Sequence, residues 1–147
     1  MRKGFTLLEL LVTISIIGLL LGIGAVSFST AQKRGRDSRR QGDMKAIQKS
    51  LEQCYSLDNA YPQTGSVESG DPLTCVGLTV TMNQVPSDPQ PAGSYTYTVD
   101  ADPATVYCLC ALLENIGTGN ADTEGTNGVC SWETTTDNNY FCVSNQQ

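Results

Sequence analysis

The stretch FTLLELLVTISIIGLLLGIGAVSFSTA, from Phe5 to Ala31, decides the fold. It contains a single charged side chain, Glu9. As a helix it is about 40 Å long at roughly 1.5 Å per residue, enough to cross a hydrocarbon core of about 30 Å. It is also longer than the apolar part of an ordinary secretory signal, which has about 7–15 residues. The stretch therefore predicts a transmembrane helix.

Glu9 does not suit a simple membrane anchor, because a carboxylate in an apolar span costs free energy unless it has a partner. The stretch itself offers no basic residue. A free α-amino group would supply the partner if the chain were cut just before Phe5. Glu9 would then lie near the positive end of the helix macrodipole, which makes it a candidate functional residue.

The residues around Glu9, RKGFTLLEL from Arg2 to Leu10, resemble the class III signal peptide of type IV prepilins and type II secretion pseudopilins. The resemblance implies cleavage between Gly4 and Phe5 by a prepilin peptidase, followed by N-methylation of Phe5. It implies a leader of residues 1–4 and a filament-core helix of residues 5–31. It further implies that Glu9 pairs with the terminal amine of a neighbouring subunit, and that an inner-membrane assembly platform is a partner.

Charge is distributed unevenly along the rest of the chain. Residues 32–49 hold seven basic side chains against two acidic ones, whereas residues 50–147 hold twelve carboxylates and no Lys or Arg. A count of the flanking basic residues alone would place the C-terminal part in the cytoplasm. The leader motif and the six cysteines favour an extracytoplasmic head instead, because disulfides persist in oxidising compartments.

The basic residues of 32–49 are expected to form a solvated helix face, or to make electrostatic interactions between subunits. Before assembly it could also lie against lipid headgroups. Nucleic acid is not an expected partner, since the head is acidic and no aromatic residue interleaves the basic ones.

The amphipathic half of the same helix is predicted over residues 32–57. Apolar residues recur there at spacings of three and four, which is the period of one helical face: Met44, Ile47, Leu51 and Cys54/Tyr55. Lys45, Gln48, Lys49 and Glu52 are assigned to the opposite face. Asn59 is a candidate left-handed C-cap and Pro62 bars continuation, so the helix is expected to run from about Phe5 to Leu57. The DNAYP ending resembles the end of the long helix in major pseudopilins.

Residues 58–147 are predicted to form an acidic globular head. Short β-like runs separated by turn residues lie at 78–82, 94–99, 105–113 and 140–143, with a hairpin at 100–103. The Asp88-Pro89 turn before Tyr95 also resembles the major pseudopilin pattern. The predicted fold class is α+β, in which the long N-terminal helix packs against a small antiparallel sheet of three or four strands.

Six cysteines are candidates for disulfides that staple the head: Cys54, Cys75, Cys108, Cys110, Cys130 and Cys142. Cys54 is expected to pair with Cys75. Cys108 and Cys110 point to one face of a strand and so are not expected to bond each other; they are left to pair with the last two in an open order. A metal site is not favoured, because the chain has no His and lacks the usual two-residue knuckle spacing.

Residues 117–128 form a Gly-rich loop that contains Asp122 and Glu124. Major pseudopilins often hold calcium in a loop near the C-terminus, so the resemblance raises calcium as a possible ligand here. The loop does not follow the EF-hand pattern, and an exposed turn is the alternative. No other cofactor is expected.

The predicted function is structural: a pilin or pseudopilin that polymerises into a type IV pilus or a type II secretion pseudopilus. The alternative is an uncleaved, single-span, membrane-anchored extracytoplasmic binding module. An enzyme is not expected, because the nucleophiles in the chain have no His to act as a base.

Overall fold

The protein is described by a computed structural model that covers residues 4–91, 93–100, 104–132 and 137–146. One long helix precedes five short strands: α1 (Leu7–Asp58), β1 (Leu73–Thr74), β2 (Val80–Met82), β3 (Tyr95–Val99), β4 (Tyr107–Leu112) and β5 (Tyr140–Ser144). The chain divides into two compact units between Gly35 and Arg36. The second unit holds both sheets and the C-terminal part of α1. The α+β prediction is therefore confirmed.

The apolar stripe of α1 in the second unit is buried as the periodicity predicts. Met44, Ile47 and Leu51 have no exposed surface. Gln48 and Glu52, assigned to the opposite face, are half-buried, and Glu52 accepts hydrogen bonds from the hydroxyls of Tyr61 and Tyr107. Gln48 donates a hydrogen bond of 2.7 Å to the carbonyl of Ser144.

The C-terminal cap of α1 explains where the helix ends. Asn59 has a φ of 55°, and its N–H donates to the carbonyl of Tyr55 at 2.8 Å. Asparagine tolerates this left-handed conformation better than most residues. The predicted C-cap is thus confirmed, with α1 ending at Asp58.

Two antiparallel sheets form where the sequence predicts one. β3, β4 and β5 pair in that order, and β1 pairs with β2 separately. The two-residue strand β1 was not predicted, because so short a run carries no alternation. β2 begins later than predicted since Leu78, with a φ of 66°, lies in the turn before it. Of the predicted hairpin at 100–103, only Asp100 lies within the described residues.

Strand β4 is buried on both faces. Tyr107, Leu109 and Ala111 belong to the main core, which also contains the buried stripe of α1. Cys108 and Cys110 point the other way into a second, smaller cluster formed largely by cysteines. The prediction that Cys108 and Cys110 share one face of a strand is confirmed, and the central strand contributes to two separate cores.

Candidate assembly site

The predicted cleavage site lies immediately before α1. Gly4 and Phe5 are not in a helix, and Phe5 is 83% exposed. A peptidase has to bind its substrate in an extended form, so an exposed non-helical bond is an accessible one.

Glu9 has a hydrogen-bond partner within its own chain. Its Oε2 accepts from the N–H of Thr6 at 2.8 Å and from the Thr6 hydroxyl at 2.9 Å. In return, the N–H of Glu9 donates to Thr6 Oγ1 at 3.3 Å. This reciprocal arrangement is a capping box, in which Thr6 is the N-cap of α1 and Glu9 is the third helical residue.

The capping box was missed in the sequence, although its signal was present. Threonine followed three residues later by glutamate, just before an apolar run, is the pattern of a helix start. The structure thus gives Glu9 a local role besides the inter-subunit pairing that the family resemblance implies. Any test of Glu9 must separate the two.

The first unit leaves its apolar side chains uncovered. The large aliphatic and aromatic side chains described from Phe5 to Phe28 are each at least 46% exposed. By length and composition, α1 is apolar enough to cross a membrane, with a mean hydropathy of 2.4 over its most apolar stretch. An apolar surface of this extent requires a covering of lipid or of other protein chains.

Arg40 is the centre of an ion-pair network in the second unit, which corrects the prediction of a fully solvated basic face. Its side chain is 2% exposed. It binds Asp88 through two hydrogen bonds of 2.8 and 2.9 Å, and also binds Asp37 at 2.7 Å and Glu114 at 3.0 Å. The hydrogen bonds that Arg40 donates to Asp88 raise the pKa of Arg40 despite its burial.

Two carboxylates of this network, those of Glu114 and Asp88, are held in their charged form. Arg36 makes two hydrogen bonds of 2.6 Å to Glu114, which lower the pKa of Glu114 to about 2. Burial opposes the ionisation of Asp88, but the hydrogen bonds from Arg40 and from the N–H of Gln90 outweigh it and lower the pKa of Asp88. The network therefore ties α1 to two loops of the head.

Three disulfides staple the head. Cys54 pairs with Cys75, the pairing expected from the sequence. The order that the sequence left open is Cys108 with Cys130 and Cys110 with Cys142. The sulfurs of the last two bridges all lie within 4.8 Å of one another and are buried. Because each is already bonded to another sulfur, none offers a thiolate to a metal.

The two carboxylates considered for calcium lie in the loop between β4 and β5. Glu124 is exposed and its Oε1 accepts a hydrogen bond of 3.3 Å from the hydroxyl of Tyr140, whereas Asp122 is half-buried. Within the described ranges, no third carboxylate joins them in a group that could hold an ion. Calcium at Asp122 and Glu124 remains a prediction.

Two comparisons with known proteins indicate the class of protein that this chain resembles. Residues 1–25 match the family model of the prokaryotic N-terminal methylation motif, so the chain carries a prepilin-type N-terminus. The chain is also similar to the Type II secretion system core protein G of Pseudomonas aeruginosa, with 36% identity over 64 residues. That alignment covers 43% of this chain and 44% of the relative, which is less than half of either length.

No solved structure matches this chain. Neither of the two matches is to an enzyme, in agreement with the prediction of a non-catalytic protein. Both lend support to the resemblance drawn from the residues around Glu9.

Proposed function

We propose that this protein is a pilin-like structural subunit that is cleaved between Gly4 and Phe5, methylated on Phe5, and polymerised through its N-terminal helix. The similarity to a Type II secretion system core protein favours a pseudopilus over a type IV pilus. The observation that carries the proposal is the uncovered apolar surface of α1, most of which lies within the matched methylation motif of residues 1–25. A subunit that later packs into a filament core needs such a surface.

The proposed organisation follows the leader motif and the redox pattern of the chain. The leader of residues 1–4 favours an N-terminus at the cytoplasmic side, where a prepilin peptidase acts. Residues 5–31 anchor the subunit in the cytoplasmic membrane until the assembly platform extracts it, and residues 32–57 continue the helix. The head of residues 58–147 lies outside the cytoplasm, which the three disulfides support.

The first test is the mass of the N-terminal peptide, measured in the membrane fraction and in sheared surface material. A chain that begins with methylated Phe5 supports the proposal, and its confinement to membranes supports a short pseudopilus. An intact Met1 in both fractions refutes processing and leaves the anchored binding module as the function.

The second test separates the two roles of Glu9. Glu9→Gln keeps a side chain that can complete a capping box but removes the negative charge. Thr6→Val removes the hydroxyl that makes two of the three hydrogen bonds and leaves the charge in place. If the charge pairs with a neighbouring subunit, Glu9→Gln abolishes filaments and Thr6→Val retains them. Equal losses in both variants would assign Glu9 to the helix cap alone.

A further inference from the structure

We propose that Lys33 and Arg34 form a binding site for anionic phospholipid headgroups at the C-terminal end of the apolar segment, and that this site sets the depth of α1 in the bilayer. The proposal rests on insertion of α1 into a membrane. It does not depend on cleavage or polymerisation, so it can fail while the proposed function stands.

The position of the two residues supports the site. The apolar stretch ends at Ala31, and Lys33 and Arg34 follow within one helical turn. Both are exposed, and neither forms an ion pair with any residue that the structure describes. Long cationic side chains at the end of a span extend their charges to the headgroup layer while their stems stay on apolar surface.

The other cations on the C-terminal side of the apolar stretch are not available to the same headgroup layer. Arg36 and Arg40 are bound to the carboxylates of the head, and Arg39 lies 3.9 Å from Asp43. Lys45 and Lys49 are exposed but lie at least eleven residues beyond Arg34, roughly 16 Å along a helix. The interfacial layer of a bilayer is only about 5–8 Å deep on each side.

The spacing to Glu9 gives the proposal a second consequence. Lys33 follows Glu9 by 24 residues, which is roughly 36 Å of helix. A hydrocarbon core of about 30 Å then fits between the two charges. With Lys33 in one headgroup layer, the Glu9 carboxylate and its capping box lie at the opposite boundary. The Glu9 carboxylate, which would be unfavourable inside an apolar span, is thereby placed in a polar region.

The site is tested with the purified full-length chain in phosphatidylcholine vesicles that contain a minor fraction of phosphatidylglycerol. Electron spin resonance of spin-labelled versions of each lipid measures their relative association with the protein. We expect phosphatidylglycerol to be preferred by roughly fivefold per cation in low salt. The preference should fall in 1 M salt, where the screening length is about 3 Å.

Matched variants identify the residues. Lys33→Gln/Arg34→Gln should lower the preference, whereas Lys45→Gln/Lys49→Gln, which removes the same charge, should leave it unchanged. Arg2 and Lys3 are present in every variant, so their contribution to lipid binding is constant across the comparison. The swap Lys33→Arg/Arg34→Lys should also retain the preference, because both positive charges remain. Equal losses in both glutamine variants, or no preference in the unmodified chain, would overturn the proposal. Inorganic phosphate that displaces the lipid more than chloride of equal ionic strength would point to a free-phosphate site instead.

Discussion

Replacing Arg40 by methionine removes the guanidinium that three carboxylates share, while keeping a long apolar stem. The Arg40 side chain is 2% exposed and that of Asp88 is 3% exposed. Loss of one partner from a buried ion pair costs about 3–5 kcal/mol, since an uncompensated charge stays behind. We expect the lower end, about 3 kcal/mol, because Glu114 keeps Arg36, while Asp37 and Asp88, which lose their cation, keep hydrogen bonds from backbone N–H groups.

The assay is urea unfolding of the full-length chain in a non-ionic detergent, with the disulfides intact and the fluorescence of the single Trp132 as the signal. The matched control is Arg39→Met. Arg39 is 62% exposed and 3.9 Å from its acidic neighbour, so this variant should cost at most about 1 kcal/mol. Because both variants remove one positive charge from adjacent positions, the difference between them reports burial and pairing.

A second substitution tests whether the unpaired charge of Asp88 causes the loss of stability. In the Arg40→Met background, Asp88→Asn removes the stranded charge and should restore part of the lost stability. In the unmodified chain the same change should destabilise, giving a coupling between the two sites. A cost for Arg40→Met no larger than that for Arg39→Met, or equal harm from Asp88→Asn in both backgrounds, would contradict the role given to the buried pair of Arg40 and Asp88.

Three further predictions follow from the head. Its urea midpoint should be constant above about pH 4.5 and fall as the pH approaches 2, because the folded pKa of Glu114 is lowered to about 2; Glu114→Gln should flatten the acidic part of that profile. Replacing both Cys54 and Cys75 by serine should cost about 3 kcal/mol in the fluorescence assay, given a separation of 21 residues. Leu78→Gly should stabilise the head by up to about 1 kcal/mol in equilibrium unfolding, since Leu78 is 84% exposed with a φ of 66°.

The parts of the fold that could be predicted rest on local pattern. The buried stripe of Met44, Ile47 and Leu51 repeats at the helical period, and the two faces of β4 alternate at the strand period. Asn59 marks the end of α1 because its side chain tolerates a positive φ. Each of these signals lies within a few residues of the structure that it specifies, so a single sequence contains it.

The ion-pair network could not be predicted, because its partners are distant along the chain. Arg40 lies 48 residues from Asp88 and 74 residues from Glu114. A basic residue in a run of basic residues looks solvated until the fold brings the carboxylates to it. The same applies to Glu52, whose partners Tyr61 and Tyr107 approach it only through packing of the core.

The capping box was missed for a different reason. Thr6 and Glu9 carry a local signal for a helix start. The family resemblance already implied an inter-subunit role for Glu9, so the pattern that it forms with Thr6 was not used. The order of the two C-terminal disulfides is a further case, since Cys108 and Cys110 share a face and either could reach either partner. The register of β4 against β5, which sets Cys110 opposite Cys142, decides the pairing.

The face of β4 that points away from the main core is covered by disulfides. In most sheets a layer of aliphatic side chains covers such a face. A disulfide requires a connecting segment that is long enough to bring its two cysteines together, and it places few other requirements on the sequence of that segment. The segment from Glu114 to Asn139 is accordingly rich in glycine, threonine and asparagine and poor in aliphatic residues. None of the described residues of this segment belongs to the main core. Substitutions at its exposed positions, away from Glu114, the buried Ala121 and the closely packed Gly119, Gly125 and Gly128, should therefore change the surface of the head without repacking α1 or β4.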